Sequence, residues 1–194
     1  MIPRAFFERD PLTVAEALIG CEFVHGACHG IVIETEAYHE IGDEACHTFL
    51  RPSARAFIDS HPAGTAYVYL NYGVHWLANV VCHDLATGGR GFVLLRALEP
   101  VKGTDTMRKR RGRDKVRDLC SGPGKLTRAL GIDGSFHGRS LTDDPAFCFR
   151  PRAAETGPEL VFDRRVGISQ AKELPWRVLV AGHPGVSVPF GKVK

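Results

Sequence analysis

The spacing of apolar residues changes once in the first forty positions, and the change separates the first two elements. Leu12, Val14, Ala15, Leu18 and Ile19 share a helical face, Asp10-Pro11 supplies a cap and a first-turn proline, and Gly20 stands just past the end. This predicts a helix over 11–19. The β-branched run Ile31-Val32-Ile33, with Gly26 and Gly30 before it, predicts a hairpin within 21–38 whose second strand covers 30–38. Side chains alternate between faces along a strand, so Glu34, Glu36 and Tyr38 share one face.

Residues 39–64 hold no sustained period and read as a long loop with at most one helical turn, a length that in compact domains goes with function. Apolar residues then return in a run from Ala66 to Gly73 and another from Val74 to Cys82, predicting two strands joined by a turn at Tyr72-Gly73. A further strand is expected over 91–98, stopped by Pro100. Thr104 and Ser121 are placed to cap two helices that Gly112 and Gly131 end. Arg177–Ala181 and Val186–Val188 are expected as the last strands, and no internal repeat is visible.

Composition narrows the class. With 194 residues, 44% hydrophobic and 24% charged, the chain suits one core and one domain over 1–194, and not a disordered or fibrous protein. No stretch approaches the ~20 apolar residues of a membrane helix, and Glu8, Asp10 and Glu16 fall where a signal peptide needs apolar residues. The expectation is an intracellular protein with no membrane partner. Six cysteines then read as reduced thiols. A net charge of +3 permits a polyanionic partner without demanding one.

Three constellations carry candidate chemistry. The doublets Cys28-His29, Cys46-His47 and Cys82-His83, with Cys21 and His25, suggest zinc, but strand neighbours point to opposite faces and no C-x-x-C occurs, so no metal is expected. The run Arg108-Lys109-Arg110-Arg111-Gly112-Arg113 suits a solvated helix face or a nucleic acid, and Tyr67, Tyr69, Tyr72 and Trp76 supply aromatics that either stack on bases or form a core stripe. Glu34 and Glu36 are both candidate carboxylates, and their residue types alone do not choose between them.

The order of five stretches adds more. Ile33-Glu34-Thr35-Glu36-Ala37-Tyr38, Asp43-Glu44-Ala45-Cys46-His47, Gly64 to Gly73, Leu94-Leu95-Arg96-Ala97-Leu98-Glu99-Pro100 and Leu119 to Leu126 (Leu-Cys-Ser-Gly-Pro-Gly-Lys-Leu) stand in register with the alkyladenine (methylpurine) DNA glycosylases. The chain resembles that family from about Phe6 to Val188. The resemblance implies an α+β fold: a single mixed domain built round a curved antiparallel sheet, with a DNA-inserting hairpin and flanking helices. It implies a monofunctional 3-methyladenine DNA glycosylase of base excision repair. Such an enzyme flips an alkylated, or deaminated, purine out of duplex DNA and hydrolyses its glycosidic bond without a cofactor.

Residue by residue, Glu36 matches the general base, and the water it activates is held by Arg96 and by a backbone carbonyl at Val166. Tyr38, His47 and Tyr69 match the side chains that sandwich and hydrogen-bond the flipped base. Tyr72 matches the intercalating hairpin tip, Leu94 lies beside it, and Asn79 matches the residue that crowds guanine's 2-amino group. The implied partner is damaged double-stranded DNA, met by a monomer in a bacterial cytoplasm or nucleoid, or in a nucleus. The chain departs from the family where Phe49 to Phe57 replaces a Gly-Arg-Thr-Pro-Arg-Asn-like stretch, leaving open which arginine meets phosphate, and Asn71 replaces an apolar residue beside the wedge.

Two competing readings are a hydrolase of free nucleosides, which needs no wedge, and a damaged-DNA-binding module, which needs no Glu36. The resemblance also constrains the hairpin. A two-residue turn would pair Asn71 with Val74 and put Tyr69 and Asn79 on opposite faces, whereas one pocket needs both together. A three-residue loop or a bulge is therefore expected, with Gly73 at positive φ.

Overall fold

The computed structural model describes residues 1–153 and 157–193. Helix α1 (Pro11–Leu18) begins as its sequence dictates, with the Asp10 carboxylate accepting from the Thr13 N–H at 3.0 Å and Pro11 in the first turn. Strands β1 (Glu22–His25) and β2 (Cys28–His39) follow as a hairpin, then α2 (His47–Leu50) and α3 (Pro52–Ser60). Strands β3 (Ala66–Asn71), β4 (His75–His83) and β5 (Arg90–Lys102) form a meander. Helices α4 (Thr104–Arg111) and α5 (Pro123–Leu130) and the short strands β6 (Phe147–Arg150), β7 (Leu160–Asp163) and β8 (Arg177–Val180) complete the chain.

All strand pairs are antiparallel, giving the mixed α+β architecture expected: a curled sheet of order β3-β4-β5-β2-β1-β6, with β8 joining β2 beyond β1 and β7 pairing with β8. Alternation sorts the side chains. Ala66, Val68, Ala78, Val80, Val93, Leu95 and Ala37 face the larger core, where Val14, Ala15 and Leu18 of α1 and Leu126, Ala129 and Leu130 of α5 are buried with them. Tyr67, Val81 and Phe92 face the other way, into a smaller cluster completed by Ala54, Phe57 and Ile58 of α3.

Several elements differ from their sequence expectation, each for a local reason. The stretch 39–64 is not one loop. It holds α2, four residues long, and α3, nine residues with no capping side chain at its start and only Ala54, Phe57 and Ile58 buried, too few apolar positions to mark a period. Strand β5 runs through Pro100, because the register shifts between His29 and Gly30 and this irregularity accommodates a residue without an N–H. Neither Thr104 nor Ser121 caps: Gly103 and Gly122 hold the cap positions, Thr104 is helical, and the Ser121 hydroxyl accepts from Lys125 Nζ at 3.3 Å. Gly112 and Gly131 do end their helices in left-handed conformation. Residues 186–188 are not a strand, and β6 and β7 have no counterpart in the expectation.

The β3–β4 hairpin settles its register as geometry requires. Asn71 pairs with His75, leaving the three-residue loop Tyr72-Gly73-Val74, closed by the Val74 N–H donating to the Asn71 carbonyl at 3.0 Å. Tyr72 (φ 51°) and Gly73 (φ 68°) are both left-handed.

Candidate active site

Cross-strand register builds the site before any side chain is considered. Tyr67, Asn79, Leu94, Glu36 and Arg177 lie opposite one another on β3, β4, β5, β2 and β8. Directly opposed residues share a face, so these five form one row across the sheet. On that face Tyr69 and Leu77 form the next pair towards the hairpin tip, and Phe92 and Tyr38 pair on the opposite side of the row. Three-residue looping at the hairpin is what brings Tyr69 and Asn79 to this common face.

A cavity of about 970 Å³ opens over these rows, and Tyr38, His47, Tyr69, Asn79, Leu94, Arg96 and Val166 all line it. Glu36 lies immediately behind, fully buried. Its Oε2 accepts from the Tyr38 hydroxyl at 2.8 Å and from Arg96 Nη1 at 3.2 Å, and its Oε1 accepts from the Val166 N–H at 2.6 Å. Val166, whose carbonyl the resemblance assigns to the water, meets Glu36 through its amide. A carboxylate has about four acceptor sites, so Glu36 keeps one, on Oε1 beside Val166.

Glu34 is spent differently. Its Oε1 accepts from Arg177 Nη1 at 2.8 Å, Ser187 Oγ at 2.8 Å and Arg96 Nε at 3.3 Å, and its Oε2 accepts from the Ser187 N–H at 2.5 Å. The two carboxylates that residue type could not separate are therefore distinct: Glu34 accepts four bonds, three of them from Arg177 and Ser187, which do not line the cavity, whereas all three donors to Glu36 are cavity-lining residues. Burial opposes the charge of Arg96, but Glu36 and Glu34 more than offset this and raise its pKa. Burial, then Glu36, raises the Tyr38 phenol well above its ordinary value, so it stays a donor.

His47 opens α2, its Nδ1 3.1 Å from the Tyr67 hydroxyl and its ring centroid 4.4 Å from that of Tyr69. Burial, with Arg51 adding to it, lowers its pKa to about 4. The unfolded chain, with an ordinary value near 6.5, binds this proton more readily than the folded one between those limits. The resulting contribution to stability is complete above pH 6.5 and lost as pH falls towards 4. His47→Gln should therefore flatten the pH dependence of the melting temperature between pH 4 and 6.5 relative to the parent. Parallel curves for the two proteins would refute this.

Two arginines back the aromatic walls, and neither was singled out from the sequence. Arg165, fully buried, places its guanidinium 4.6 Å from the Tyr38 ring centroid and 5.3 Å from that of Trp176. It is held by Asp43 through Nη1–Oδ2 (2.6 Å) and Nη2–Oδ1 (2.7 Å). Arg51 lies 5.6 Å from the Tyr69 centroid and lines the cavity, whereas Arg55 is tied to the Thr48 carbonyl at 3.1 and 3.3 Å. In the departing stretch it is Arg51 that reaches the cavity. The doubled Arg164-Arg165 and the lone Arg177 inside an apolar run are the signals that could have been followed.

Tyr72 stands 86% exposed at the hairpin tip, at the rim of the cavity. Leu94 is not beside it. Buried in the row opposite Asn79 and Glu36, it lies five strand positions, roughly 16 Å, from the tip and belongs to the cavity floor. The basic run is largely committed to the fold: Arg110 Nη1 donates to the Leu130 carbonyl at the end of α5, Arg111 Nε to the Leu119 carbonyl, and Arg108 Nη1 to Asp105. Tyr67 is a core residue, stacked on Phe92 at 4.5 Å, and Trp76 packs partly buried against the larger core.

The six cysteines are free and buried, and among the described residues no group of three or more His, Cys, Asp or Glu side chains is arranged to hold a metal. No helix among the described residues is long and apolar enough to cross a membrane.

Comparison with known proteins agrees with this geometry. A family profile described as methylpurine-DNA glycosylase matches residues 5–184. A protein of Agrobacterium fabrum, named "Putative 3-methyladenine DNA glycosylase", is 47% identical over 189 residues, covering 97% of this chain and 93% of its own. Proteins given the same name are 45% identical in Rhodopseudomonas palustris (96% and 90% covered) and 42% identical in Chlorobaculum tepidum (94% and 88%).

Proposed function

The chain belongs to the methylpurine-DNA glycosylase family, and from that premise we propose that it excises alkylated purines such as 3-methyladenine from duplex DNA, by flipping the base into the cavity and hydrolysing its glycosidic bond. One observation carries the mechanism: a buried carboxylate, Glu36, fixed by three donors and with one acceptor site left, behind a cavity walled by tyrosines. A water on that site loses a proton to Glu36 as its oxygen bonds C1′. The C1′–N bond breaks, its electron pair leaves with the purine, and a hydroxylated abasic sugar remains. Arg96 orients the water and Glu36.

Alkylation at N3 or N7 makes a purine cationic, so Tyr38 and Tyr69 favour it over normal bases by about 0.5–2 kcal/mol of cation–π attraction. Tyr72 fills the gap in the duplex and offsets an unstacking cost of a few kcal/mol. Hypoxanthine, which lacks a 2-amino group, fits the same pocket. The protein works as a monomer on the genome inside the cell. The strand stays intact in this reading: the one lysine among the described residues lining the cavity, Lys125 on α5, has its amine donating to Ser121 Oγ at 3.3 Å and makes no bond to Glu36.

The test is release of free base from methylated duplex DNA, with free nucleosides and borohydride trapping in parallel. We expect 3-methyladenine in the supernatant, untouched nucleosides and no covalent adduct. Binding without release would leave a damage-binding module, nucleoside cleavage a nucleoside hydrolase, and a trapped adduct a lyase.

Selectivity gives a second measurement. Asn79 is 6% exposed and lines the cavity, its Nδ2 donating to the Tyr67 carbonyl at 3.0 Å, which holds the side chain in place and supports the reading that it crowds out a guanine 2-amino group. Asn79→Ala should raise release of unmodified guanine relative to 3-methyladenine. An unchanged ratio would remove Asn79 from this role.

A further inference from the structure

Arg96 touches Glu36 through one nitrogen only, and the rest of its guanidinium is held from behind. Nε donates to Glu34 Oε1 and to Ser187 Oγ, both at 3.3 Å, and Nη2 donates to Ser187 Oγ at 3.0 Å. Ser187 in turn grips Glu34 with both its hydroxyl and its amide. The segment carrying it lies outside the strands and is stitched down by Arg177 Nη1 donating to the Val188 carbonyl and by the Gly191 N–H donating to Asp163 Oδ2, each at 2.8 Å. Arg177 closes the circuit by bonding both Glu34 and Asp163.

We infer that Glu34 and Ser187 are positioning residues for Arg96, so that the C-terminal segment is part of the frame that aims the guanidinium at Glu36 and its water. This rests on the mechanism proposed above. The physical reason is the count of holds. Without the Ser187 hydroxyl, Nη2 has no partner among the described residues and the guanidinium is held only by Nη1 on Glu36 at 3.2 Å and Nε on Glu34 at 3.3 Å, so its tilt is less restrained. Displacements of about 1 Å at a reacting centre cost on the order of a hundredfold in rate.

Ser187→Ala removes one oxygen, leaves the backbone N–H on Glu34, and suits a single-turnover measurement with the full chain. We expect excision of 3-methyladenine from a duplex to fall between about tenfold and a hundredfold, with lesion-DNA affinity unchanged within about twofold and Ser187→Thr restoring most of the rate. A role confined to stability would lower the melting temperature of the alanine variant and leave its single-turnover rate intact below that temperature. Combination with Glu36→Gln separates the possibilities: if Ser187 acts through Arg96 and Glu36, adding Ser187→Ala to Glu36→Gln costs less than about a further twofold.

Parent-like excision by Ser187→Ala, or an equal loss in both backgrounds, overturns the positioning role and leaves the mechanism standing. Parent-like excision by Glu36→Gln alone, with Ser187 intact, overturns the mechanism and the positioning role with it. Glu34→Gln, which keeps the shape and removes the charge, should lose rate in the same direction as Ser187→Ala; a folded Glu34→Gln protein at the parent rate counts against the inference.

Discussion

Glu36→Gln should reduce single-turnover release of 3-methyladenine by at least ~100-fold, the contribution usual for a positioned general base. Binding to lesion-containing duplex should persist, because the tyrosine walls and the hairpin tip are untouched. The environment of Glu36 sharpens this expectation. Each of its oxygens accepts from the protein, and an amide supplies only one acceptor oxygen. If that oxygen keeps Tyr38 and Arg96, the new NH2 faces the Val166 N–H, donor against donor, at a cost of about 1–3 kcal/mol. A modest fall in melting temperature should therefore accompany the loss of activity. Excision near the parent rate would show that Glu36 is not the base.

The second large effect is on stability. Asp43 and Arg165 form a bidentate pair whose side chains are both fully excluded from solvent. Asp43 also accepts from the His39 and Ala45 N–H groups at 3.1 Å, and Arg165 donates to the Ala37 carbonyl at 3.0 Å. Asp43→Ala leaves a buried guanidinium without a counter-charge, which typically costs 3–5 kcal/mol. For a domain of this size that is a fall of about 10 °C in melting temperature. Calorimetry should show it. Because Arg165 stands behind Tyr38 and immediately precedes Val166, the surviving folded fraction should also excise poorly at temperatures where it is intact. A variant that melts with the parent would mean that the site relaxes to let water reach Arg165.

What could be read from the sequence follows from which forces act locally. Helix α1 was legible because its cap, proline and apolar face lie within ten residues, and the hairpin register because alternation, joined to the family resemblance that puts Tyr69 and Asn79 in one pocket, is incompatible with a two-residue turn. Most of the pocket residues were legible through ordered motifs, each a short run within one strand or one turn leading into a helix. The frame behind them was not. Asp43 meets Arg165 across 122 positions, Glu34 meets Arg177 across 143 and Ser187 across 153, and no periodicity reports such pairings. The position of Leu94 was misjudged for the related reason that a strand residue is placed by its cross-strand partners, here Asn79 and Glu36, and not by the motif it belongs to. Helices α2 and α3 escaped because they depend on packing Phe57 and Ile58 onto the sheet more than on intrinsic pattern.

Tyr72 holds a left-handed backbone at φ 51° with almost its whole ring in solvent. A bulky L-residue there costs about 1–2 kcal/mol, and an exposed ring recovers none of it by packing. Folding alone would favour glycine at this position. Under the wedge role proposed for it, the tyrosine marks a trade of stability against activity: the isolated protein carries the conformational strain permanently, and a tip of this kind would meet DNA already shaped, with less ordering left to do on contact. Laboratory selection for thermal stability alone would erode this residue early, and, if the proposed wedge role holds, the products would fold better and search damaged DNA worse.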